Sequence, residues 1–436
     1  MTNDQQTIAY LRTPKAIRER CDRVLDLAET NQLHYFRCDL TQLENVASYV
    51  IQVMQDEYPD FNIPFHSRWR HFEVPNVPRL AELDEKLAGL TPVQKAQTKF
   101  DLAIVSVLLD AGAGADWQYF ETQTGQVFRR SEGLAVASFR MFCQGMFSSN
   151  PEYSLQADAQ GLKNLTVEQL AHGFQVSSAN PLLGLEGRVK LLQRLGESLQ
   201  THPELFGDQN PRPGNLVKYL LSLSTREGEA MEGSLTDKVM EKIDNLSKPN
   251  FIGKLPAEVV LSAVLEGLGD IWSGRLAIAG VNLGDVWRHS ALSGEKPSDQ
   301  YIPFHKLSQW LTYSLLEPLQ ELGLEITGLD ELTGLAEYRN GGLCLDLGLI
   351  VVKDPAILQQ RHLPGSEVIV EWRALTVSLL DRIAEAIRKQ LNLTATQLPL
   401  VKVLQGGTWT AGRKIAAQLR EGGVPPIQIE SDGTVF

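Results

Sequence analysis

The stretch EVIVEWRALTVSLLDRIAEAIRKQ, residues 367–390, has the clearest helical pattern in the chain. Its apolar side chains recur every three or four residues, which is the spacing of one helix face. This apolar stripe consists of Val368, Trp372, Leu375, Leu379, Ile383 and Ala386. The pattern predicts a long helix with one face in the core, in which Glu371 and Arg373 flank a buried tryptophan. Two interpretations of these charges stay open, a structural ion pair and contacts to a ligand.

Signals for helix starts recur along the chain, whereas strand signals are few. The pair Thr13-Pro14 and the capping boxes Thr91-Pro92-Val93-Gln94 and Thr166-Val167-Glu168-Gln169 each predict the first turn of a helix. Residues 117–121 and 126–128 predict one β-hairpin, and residues 427–429 with 434–436 predict another. The expected fold is therefore mainly α, with α+β character limited to one or two small β-hairpins. We expect a single unit over residues 1–436 with a helical subdomain at about 150–250.

The composition is that of an ordinary globular protein. Of the 436 residues, 43% are hydrophobic and 22% are charged, which excludes a disordered or low-complexity chain. The net charge of −12 repels phosphate backbones and anionic lipid, so we expect neither nucleic acid nor a membrane as a partner. A signal-peptide pattern and an apolar run of about 20 residues are both absent, and a cytoplasmic protein is expected.

The common cofactor and metal motifs are missing from the sequence. The four cysteines form no CxxC pair and the eight histidines no HExxH motif, so no metal site is expected. A P-loop is absent, and Gly112-Ala113-Gly114 lacks the third glycine of a dinucleotide fingerprint because Trp117 stands in its place. We therefore expect no cofactor. The sequence also lacks the GxSxG elbow of serine hydrolases.

A dense polar and aromatic island covers residues 66–72, with the sequence HSRWRHF. Arg68, Trp69, Arg70 and His71 together have the composition of a site that holds an anion or a sugar. The alternative is a structural loop in which Trp69 is anchored in the core and both arginines are solvated. The sequence leaves both interpretations open.

The segment LTGLAEYRNGGL, residues 332–343, predicts a helix that ends at Gly341-Gly342. In that helix Glu337 lies near the C-terminal end, where the helix dipole disfavours a carboxylate. A carboxylate in such a place, with Tyr338 and Arg339 beside it, suits a nucleophile or a stabiliser of a cationic transition state. The alternative is a surface glutamate that pairs with Arg339.

The segment QGGTWTAGRK, residues 405–414, predicts a glycine-rich turn that opens a helix. Backbone amides at a helix start, with Arg413 and Lys414 nearby, are the elements of a phosphate site. A plain tight turn with a helix cap explains the same composition. Gly406, Gly407, Thr408 and Trp409 are candidate substrate contacts under the first interpretation.

These islands together resemble the uracil catabolism protein 4 family, also called domain of unknown function 1688. The similar segments include SRWRHFE (67–73), SVLLDAGAGADW (106–117), NPLLGLEGR (180–188), PFHKLSQWLTYSLLEPL (303–319), LTGLAEYRNGGL (332–343) and LQGGTWTAGR (404–413). The resemblance runs from about residue 9 to residue 436. It implies a role in a route that degrades uracil through its ribonucleotide. In that route the ring is opened, ribosylurea appears, and urea and a three-carbon acid are released.

A second resemblance suggests a mechanism. LAEYRNGGL (335–343) and EVIVEWRALTVSLLD (367–381) are similar to two segments of the queuosine nucleoside glycosylases, which are helical N-glycosidases. This implies a helical N-glycosylase-like body with Glu337 in the place of the catalytic acid. Arg339, Glu371 and Arg373 match the accompanying residues.

The leading functional hypothesis is an N-ribosyl hydrolase that cleaves ribosylurea or its 5′-phosphate into urea and ribose or ribose 5-phosphate. In this hypothesis Glu337 stabilises the oxocarbenium-like transition state, and Tyr338 and Arg339 orient the Glu337 carboxylate. The other candidates bind the substrate. Those candidates are Arg68, Trp69, Arg70, His71, Asp110, Trp117, His305, Asn340, Glu371, Arg373, Gly406, Gly407, Thr408, Trp409 and Arg413. The alternatives are another nucleotide-processing step such as phosphoribosyl transfer, and a non-catalytic pathway scaffold. The expected partner is a small nucleoside or nucleotide.

Overall fold

The computed structural model describes residues 2–114, 116–225, 253–272 and 276–430, and most of this part of the chain is helical. The prediction of a mainly α fold is confirmed. The α-helices are α1 (Asn3–Leu11), α2 (Pro14–Glu29), α3 (Leu43–Glu57), α4 (Arg68–Phe72), α5 (Arg79–Lys86), α6 (Pro92–Leu108), α7 (Arg130–Cys143), α8 (Ala159–Asn164), α9 (Val167–Gly173), α10 (Leu185–Thr201), α11 (Pro203–Phe206), α12 (Leu216–Leu223), α13 (Ala257–Gly267), α14 (Lys306–Glu321), α15 (Tyr338–Asp346), α16 (Glu367–Leu391), α17 (Leu400–Val403) and α18 (Trp409–Leu419).

The strands are short and occur in pairs. They are β1 (Phe36–Cys38), β2 (Gln118–Glu121), β3 (Gln126–Arg129), β4 (Gly253–Pro256), β5 (Ala277–Ile278), β6 (Val281–Asn282), β7 (Val286–Arg288), β8 (Tyr301–Pro303), β9 (Leu324–Thr327), β10 (Ile350–Val352), β11 (Arg361–His362) and β12 (Gln428–Ile429). The antiparallel pairs are β1 with β10, β2 with β3, β5 with β6 and β7 with β8, and the parallel pairs are β4 with β9 and β11 with β12. The predicted hairpin of β2 and β3 is confirmed.

The second predicted hairpin falls partly outside the described residues, because 434–436 are not among them. Its first half is β12, which pairs in parallel with β11. The described strands also form more pairs than the one or two small hairpins that were expected. Several of these pairs join segments far apart in sequence, and such pairing leaves no local turn signal.

Local capping chemistry fixes the predicted helix starts. In the box that opens α6, Thr91 Oγ1 accepts a hydrogen bond from the Gln94 amide at 3.3 Å, and Gln94 Oε1 accepts from the Thr91 amide at 3.0 Å. Thr166 forms the same box at α9, whereas at α2 Thr13 Oγ1 accepts from the Ala16 amide at 3.1 Å without a reciprocal bond. Each bond satisfies an amide that the first turn of a helix leaves without a partner.

Helix α16 is the central element of the core, as its apolar stripe predicts. All six stripe residues are buried, and the helix packs against α2, α3 and α15. One continuous hydrophobic core extends from Ile17 to Ile427 and includes apolar side chains of α8 to α12. The single unit and its subdomain at about 150–250 stay predictions, and residues 226–252 lie outside the described part. None of the described helices combines the length and apolarity needed to span a bilayer.

Candidate active site

Residues from distant parts of the sequence meet around a cavity of about 350 Å³. Its walls come from the loop after α6, the first turns of α7, α14, α15 and α18, and the segment 423–428. The polar and aromatic residues that line it are His66, His71, Asp110, Arg130, Ser131, Lys306, Trp310, Glu337, Tyr338, Arg339, Trp409 and Gln428. The candidates Glu337, Tyr338, Arg339, His71, Asp110 and Trp409 are therefore brought together on one cavity.

Glu337 is the N-cap of α15, so the prediction that it lies near a helix C-terminus is wrong. Its Oε1 accepts from the Asn340 amide at 2.7 Å and its Oε2 from the Arg339 amide at 2.8 Å. Gly341 and Gly342 lie inside the helix instead of ending it. A Cβ at Gly341 would come within 2.8 Å of the Trp372 indole, so this glycine permits α15 to pack closely on α16.

The Glu337 carboxylate is well positioned as a fixed negative charge on the cavity wall. It is only 8% exposed and lies at the positive end of the α15 dipole. Burial raises the pKa of this carboxyl, while the amides of Arg339 and Asn340 and the Lys306 ammonium oppose the rise. Because backbone amides hold both of its oxygens, the carboxylate does not need to move to stabilise positive charge that develops on a bound ligand.

Asp110 is a second carboxylate on the same cavity. Its Oδ1 lies 2.9 Å from Arg68 Nη1, and its Oδ2 accepts from Ser131 Oγ at 3.2 Å. Arg68 is fully buried, and its Nε donates to Ser106 Oγ at 2.7 Å. Arg68 does not line the cavity, and the structure shows it as the residue that positions Asp110.

Arg188 on α10 positions the loop that carries Asp110, and sequence reasoning missed it. This fully buried guanidinium donates to the carbonyl oxygens of Leu109 at 3.0 Å, Ala111 at 2.7 Å and Gly112 at 3.1 Å, and also to that of Leu183. Burial lowers the pKa of Arg188 to about 10, so it remains charged at neutral pH. The segment NPLLGLEGR carries part of the family resemblance, but no local pattern ties its arginine to a loop about 76 residues earlier in the chain.

Four aromatic rings form one wall of the cavity, and we call them the ring wall: His66, His71, Trp310 and Trp409. The His71 ring centroid lies 5.6 Å from that of Trp310 and 5.8 Å from that of Trp409. The corresponding distances for His66 are 6.4 and 6.0 Å. Flat aromatic surfaces of this kind suit the planar or apolar faces of a small ligand.

The predicted phosphate turn at 405–414 is wrong, because the chain there is helical throughout. Residues Leu404–Thr408 form a π-helical turn between α17 and α18, so no helix begins at the glycines. A Cβ at Gly406 would come within 2.8 Å of Ile63, and one at Gly407 within 2.4 Å of Val50. The glycines and the buried Thr408 thus pack against neighbouring segments, whereas Trp409 directly after the π-turn lines the cavity. Single π-turns often mark functional positions in helices.

Two charged candidates on α16 lie in the interior and do not line the cavity. Arg373 donates from both terminal nitrogens to Asp285 at 2.8 Å, and Asp285 also accepts from the Lys306 amide at 3.0 Å. Glu371 accepts from the amides of Tyr35 at 3.1 Å and Phe36 at 2.8 Å. These contacts attach α16 to the first turn of α14 and to β1.

Several other candidates also hold the fold together around the cavity without lining it. Trp69 Nε1 donates to the Ser314 carbonyl at 2.6 Å, and Trp117 Nε1 to the Phe174 carbonyl at 2.9 Å. His305 Nε2 donates to the Leu11 carbonyl at 2.9 Å. Arg70 pairs with Glu317 at 2.7 Å, Arg413 pairs with Glu132 at 2.8 Å, and the Asn340 side chain contacts the Leu335 carbonyl.

The cations that line the cavity are Arg130, Lys306 and Arg339, and the first two were not predicted. Arg130 donates to the Gly422 carbonyl at 3.0 Å and Arg339 to the Gly423 carbonyl at 2.8 Å, which attaches the segment 422–425 to the cavity rim. Burial lowers the pKa of Lys306, while Glu337 and Asp110 oppose the change. Among the described residues, no group of three or more His, Cys, Asp or Glu side chains is arranged for a metal ion.

Comparison with known proteins places the chain in a family. A family model described as "Protein of unknown function (DUF1688)" matches residues 10–436. The chain is 37% identical to "Uracil catabolism protein 4" of Lachancea kluyveri, over 98% of this chain and 99% of that protein. It is 39% identical to "Protein urg3" of Schizosaccharomyces pombe, over 99% of each chain. The family resemblance is thus confirmed, and the likeness to queuosine nucleoside glycosylases stays a prediction. Since the family model and both relatives cover nearly its whole length, this chain belongs to the DUF1688 family.

Proposed function

We propose that this chain acts in uracil catabolism as an N-ribosyl hydrolase, with ribosylurea or its 5′-phosphate as substrate. The observation that carries the proposal is the Glu337 carboxylate, which is buried on the cavity wall and fixed at both oxygens by backbone amides. The name of the relative with 37% identity supports the pathway. The second resemblance supports the type of bond that is cleaved.

The reaction breaks the bond between the anomeric carbon and the urea nitrogen. Positive charge develops on the sugar as this bond lengthens, and Glu337 stabilises it. A water oxygen then bonds to the anomeric carbon, and Asp110 accepts the proton that the water releases. The urea nitrogen takes up a proton from solvent. The products are urea and ribose or ribose 5-phosphate, which account for all atoms of substrate and water.

The charges around the cavity favour a substrate with an anionic group. Arg130, Lys306 and Arg339 line the cavity together with two carboxylates, of which Asp110 is already paired with Arg68. The cavity wall is therefore more basic than the chain as a whole, whose net charge is −12. Guanidinium groups are the preferred partners of phosphate, so the 5′-phosphate is the better substrate of the two.

The test is the release of urea from synthetic ribosylurea and from its 5′-phosphate by the purified protein. Glu337→Gln keeps an oxygen for one of the two amides but removes the charge, and we expect kcat to fall by about 100- to 1000-fold. Glu325→Gln changes an exposed glutamate on β9 and serves as the matched control with unchanged kcat. Absence of urea from both substrates, or equal rates for Glu337→Gln and the control, would contradict the proposal.

A further inference from the structure

The two histidines of the ring wall differ in which ring nitrogen bears the proton. His66 is 5% exposed, and its Nδ1 lies 3.0 Å from Gln405 Oε1. Because an amide oxygen only accepts, His66 Nδ1 is the donor and carries the hydrogen. Gln405 is held in place by its own Nε2, which donates to the Tyr58 hydroxyl at 3.1 Å. The neutral His66 ring therefore has a bare lone pair on Nε2.

His71 has the opposite arrangement. It is 8% exposed, and its Nδ1 lies 3.4 Å from Arg68 Nη1. A guanidinium only donates, so His71 Nδ1 is the acceptor and the neutral ring carries its hydrogen on Nε2. Burial lowers the pKa of His66 to about 4, and burial and the Arg68 charge lower that of His71 to about 3. Both rings are thus neutral near pH 7, and the two tautomers are fixed.

Within the described part of the chain, Nε2 of neither histidine has a hydrogen-bond partner. Both residues line the cavity, and both rings lie against the indoles of Trp310 and Trp409. The ring wall thus offers a ligand one acceptor, on His66, and one donor, on His71. Both Nε2 atoms are open to the cavity and are not enclosed by protein, so a ligand that enters the cavity can pair with both of them.

We infer that His66 and His71 recognise a planar amide-type edge, in which a carbonyl oxygen accepts from His71 Nε2 and an N–H of the same group donates to His66 Nε2. The inference rests on the proposed function, and within it the edge is the terminal O=C–NH₂ of the ureido group. The indoles of Trp310 and Trp409 contact its flat faces. The histidines thereby set the specificity for the leaving group, separately from Glu337.

The test uses a probe that the protein cannot hydrolyse. A methylene placed between the anomeric carbon and the ureido nitrogen gives such a probe, and replacing its terminal NH₂ by CH₃ gives an acetamide of nearly equal size that lacks the donor. Calorimetric titration of the wild-type protein should show the acetamide binding about 10- to 100-fold more weakly, since it leaves His66 Nε2 unpaired. His66→Phe keeps a flat ring but removes the acceptor, so the two probes should bind it equally.

Two further variants make the test decisive. His66→Gln places an amide oxygen near the position of Nε2 and should restore part of the preference for the ureido probe. His172→Phe alters an exposed histidine and should retain the full preference. If the buried variants do not fold, the comparison of the two probes on the wild-type protein still tests the inference.

Equal binding of the two probes to the wild-type protein, or an unchanged preference in folded His66→Phe, would overturn the inference. Failure of the ureido probe to bind at millimolar concentration would do the same. Selective binding of this probe without any release of urea from ribosylurea would instead refute hydrolysis but support recognition by His66 and His71. Urea release with no preference between the probes would refute only the recognition by His66 and His71.

Discussion

Replacing Arg188 tests whether the cavity depends on one buried guanidinium. Arg188→Met keeps most of the side-chain volume but removes the guanidinium donors to the loop that follows α6. The carbonyl oxygens of Leu109, Ala111 and Gly112 then lose their charged partner in the protein interior. The same loop carries Asp110, so the variant should affect both stability and catalysis.

The expected magnitude follows from the contacts. A hydrogen bond to a charged group contributes about 1.5–3 kcal/mol, but the bonds share one guanidinium whose own burial is costly, so their values do not add. Arg188→Met leaves these buried carbonyl oxygens without their donor at a cost of about 1–3 kcal/mol each, and we expect a total loss of about 3–5 kcal/mol. With an unfolding entropy of about 2.1 cal/mol/K per residue, the 436 residues give about 0.9 kcal/mol/K, and Tm should fall by about 3–5 °C. A displacement of Asp110 by about 1 Å should lower kcat/KM about 100-fold.

The assay combines guanidinium denaturation, thermal unfolding and urea release. Lys190→Met on the exposed face of the same helix is the matched control, and its stability should change by less than about 0.5 kcal/mol. Stability of Arg188→Met equal to that of the control would refute the assignment of Arg188 as the anchor of the loop. A destabilised variant that retains full kcat/KM would show that the position of Asp110 does not matter for the reaction.

The remaining predictions concern charge and packing. Burial raises the pKa of Glu121, but hydrogen bonds from Arg79 and Arg140 outweigh this effect and lower the pKa to about 2. The stabilising contribution of Glu121 is therefore lost as the pH falls from about 4.5 to 2. Glu121→Gln should lower the free energy of unfolding, measured by guanidinium denaturation at pH 7, by about 3 kcal/mol, and this difference should shrink below pH 4. Burial raises the pKa of Glu337 and the Lys306 ammonium opposes this rise, so Lys306→Met should move the acidic limb of the kcat/KM profile to higher pH. An unmoved limb would show that Glu337 does not set it. A Cβ at Gly412 would lie 2.2 Å from the Arg339 carbonyl oxygen, so Gly412→Ala should lower Tm. Gly187 in α10 has open space around it, so Gly187→Ala should raise the free energy of unfolding by about 0.5–1 kcal/mol. If Gly412→Ala were the more stable of the two variants, the close packing of α15 on α18 would be contradicted.

The helices could be predicted because their signals are local. Thr91 and Thr166 contact amides three residues later in the chain, so the sequence contains both partners of each cap. The apolar stripe of α16 likewise depends only on helical periodicity. The parallel pairing of β4 with β9 and of β11 with β12 joins segments far apart in sequence, and no local pattern marks it.

The two wrong predictions about the site share a cause, which is the interpretation of glycine pairs as helix boundaries. Glycine ends helices when a positive φ is needed, but none of Gly341, Gly342, Gly406 and Gly407 has one. Their small size instead permits close approach of another element, and the sequence does not show where that neighbour lies. The consequence for Glu337 is a reversal of its electrostatic setting, from the negative end of a helix to the positive end.

The arginines show why composition identified the region of the site but not the role of each residue. Arg68, Arg188 and Arg373 are as suited to an anionic ligand as any arginine, yet each is buried and donates to protein oxygens. Burial of a guanidinium is tolerated only where protein acceptors replace water, so these arginines hold the loops that surround the cavity. Lys306, in contrast, has no hydrogen bond or ion pair to the described residues through its ammonium group. Its Nζ lies 6.0 Å from the centroid of the Trp310 ring, and its charge interacts with those of Glu337 and Asp110. The chemistry proposed for the cavity therefore depends on positions that the buried arginines fix.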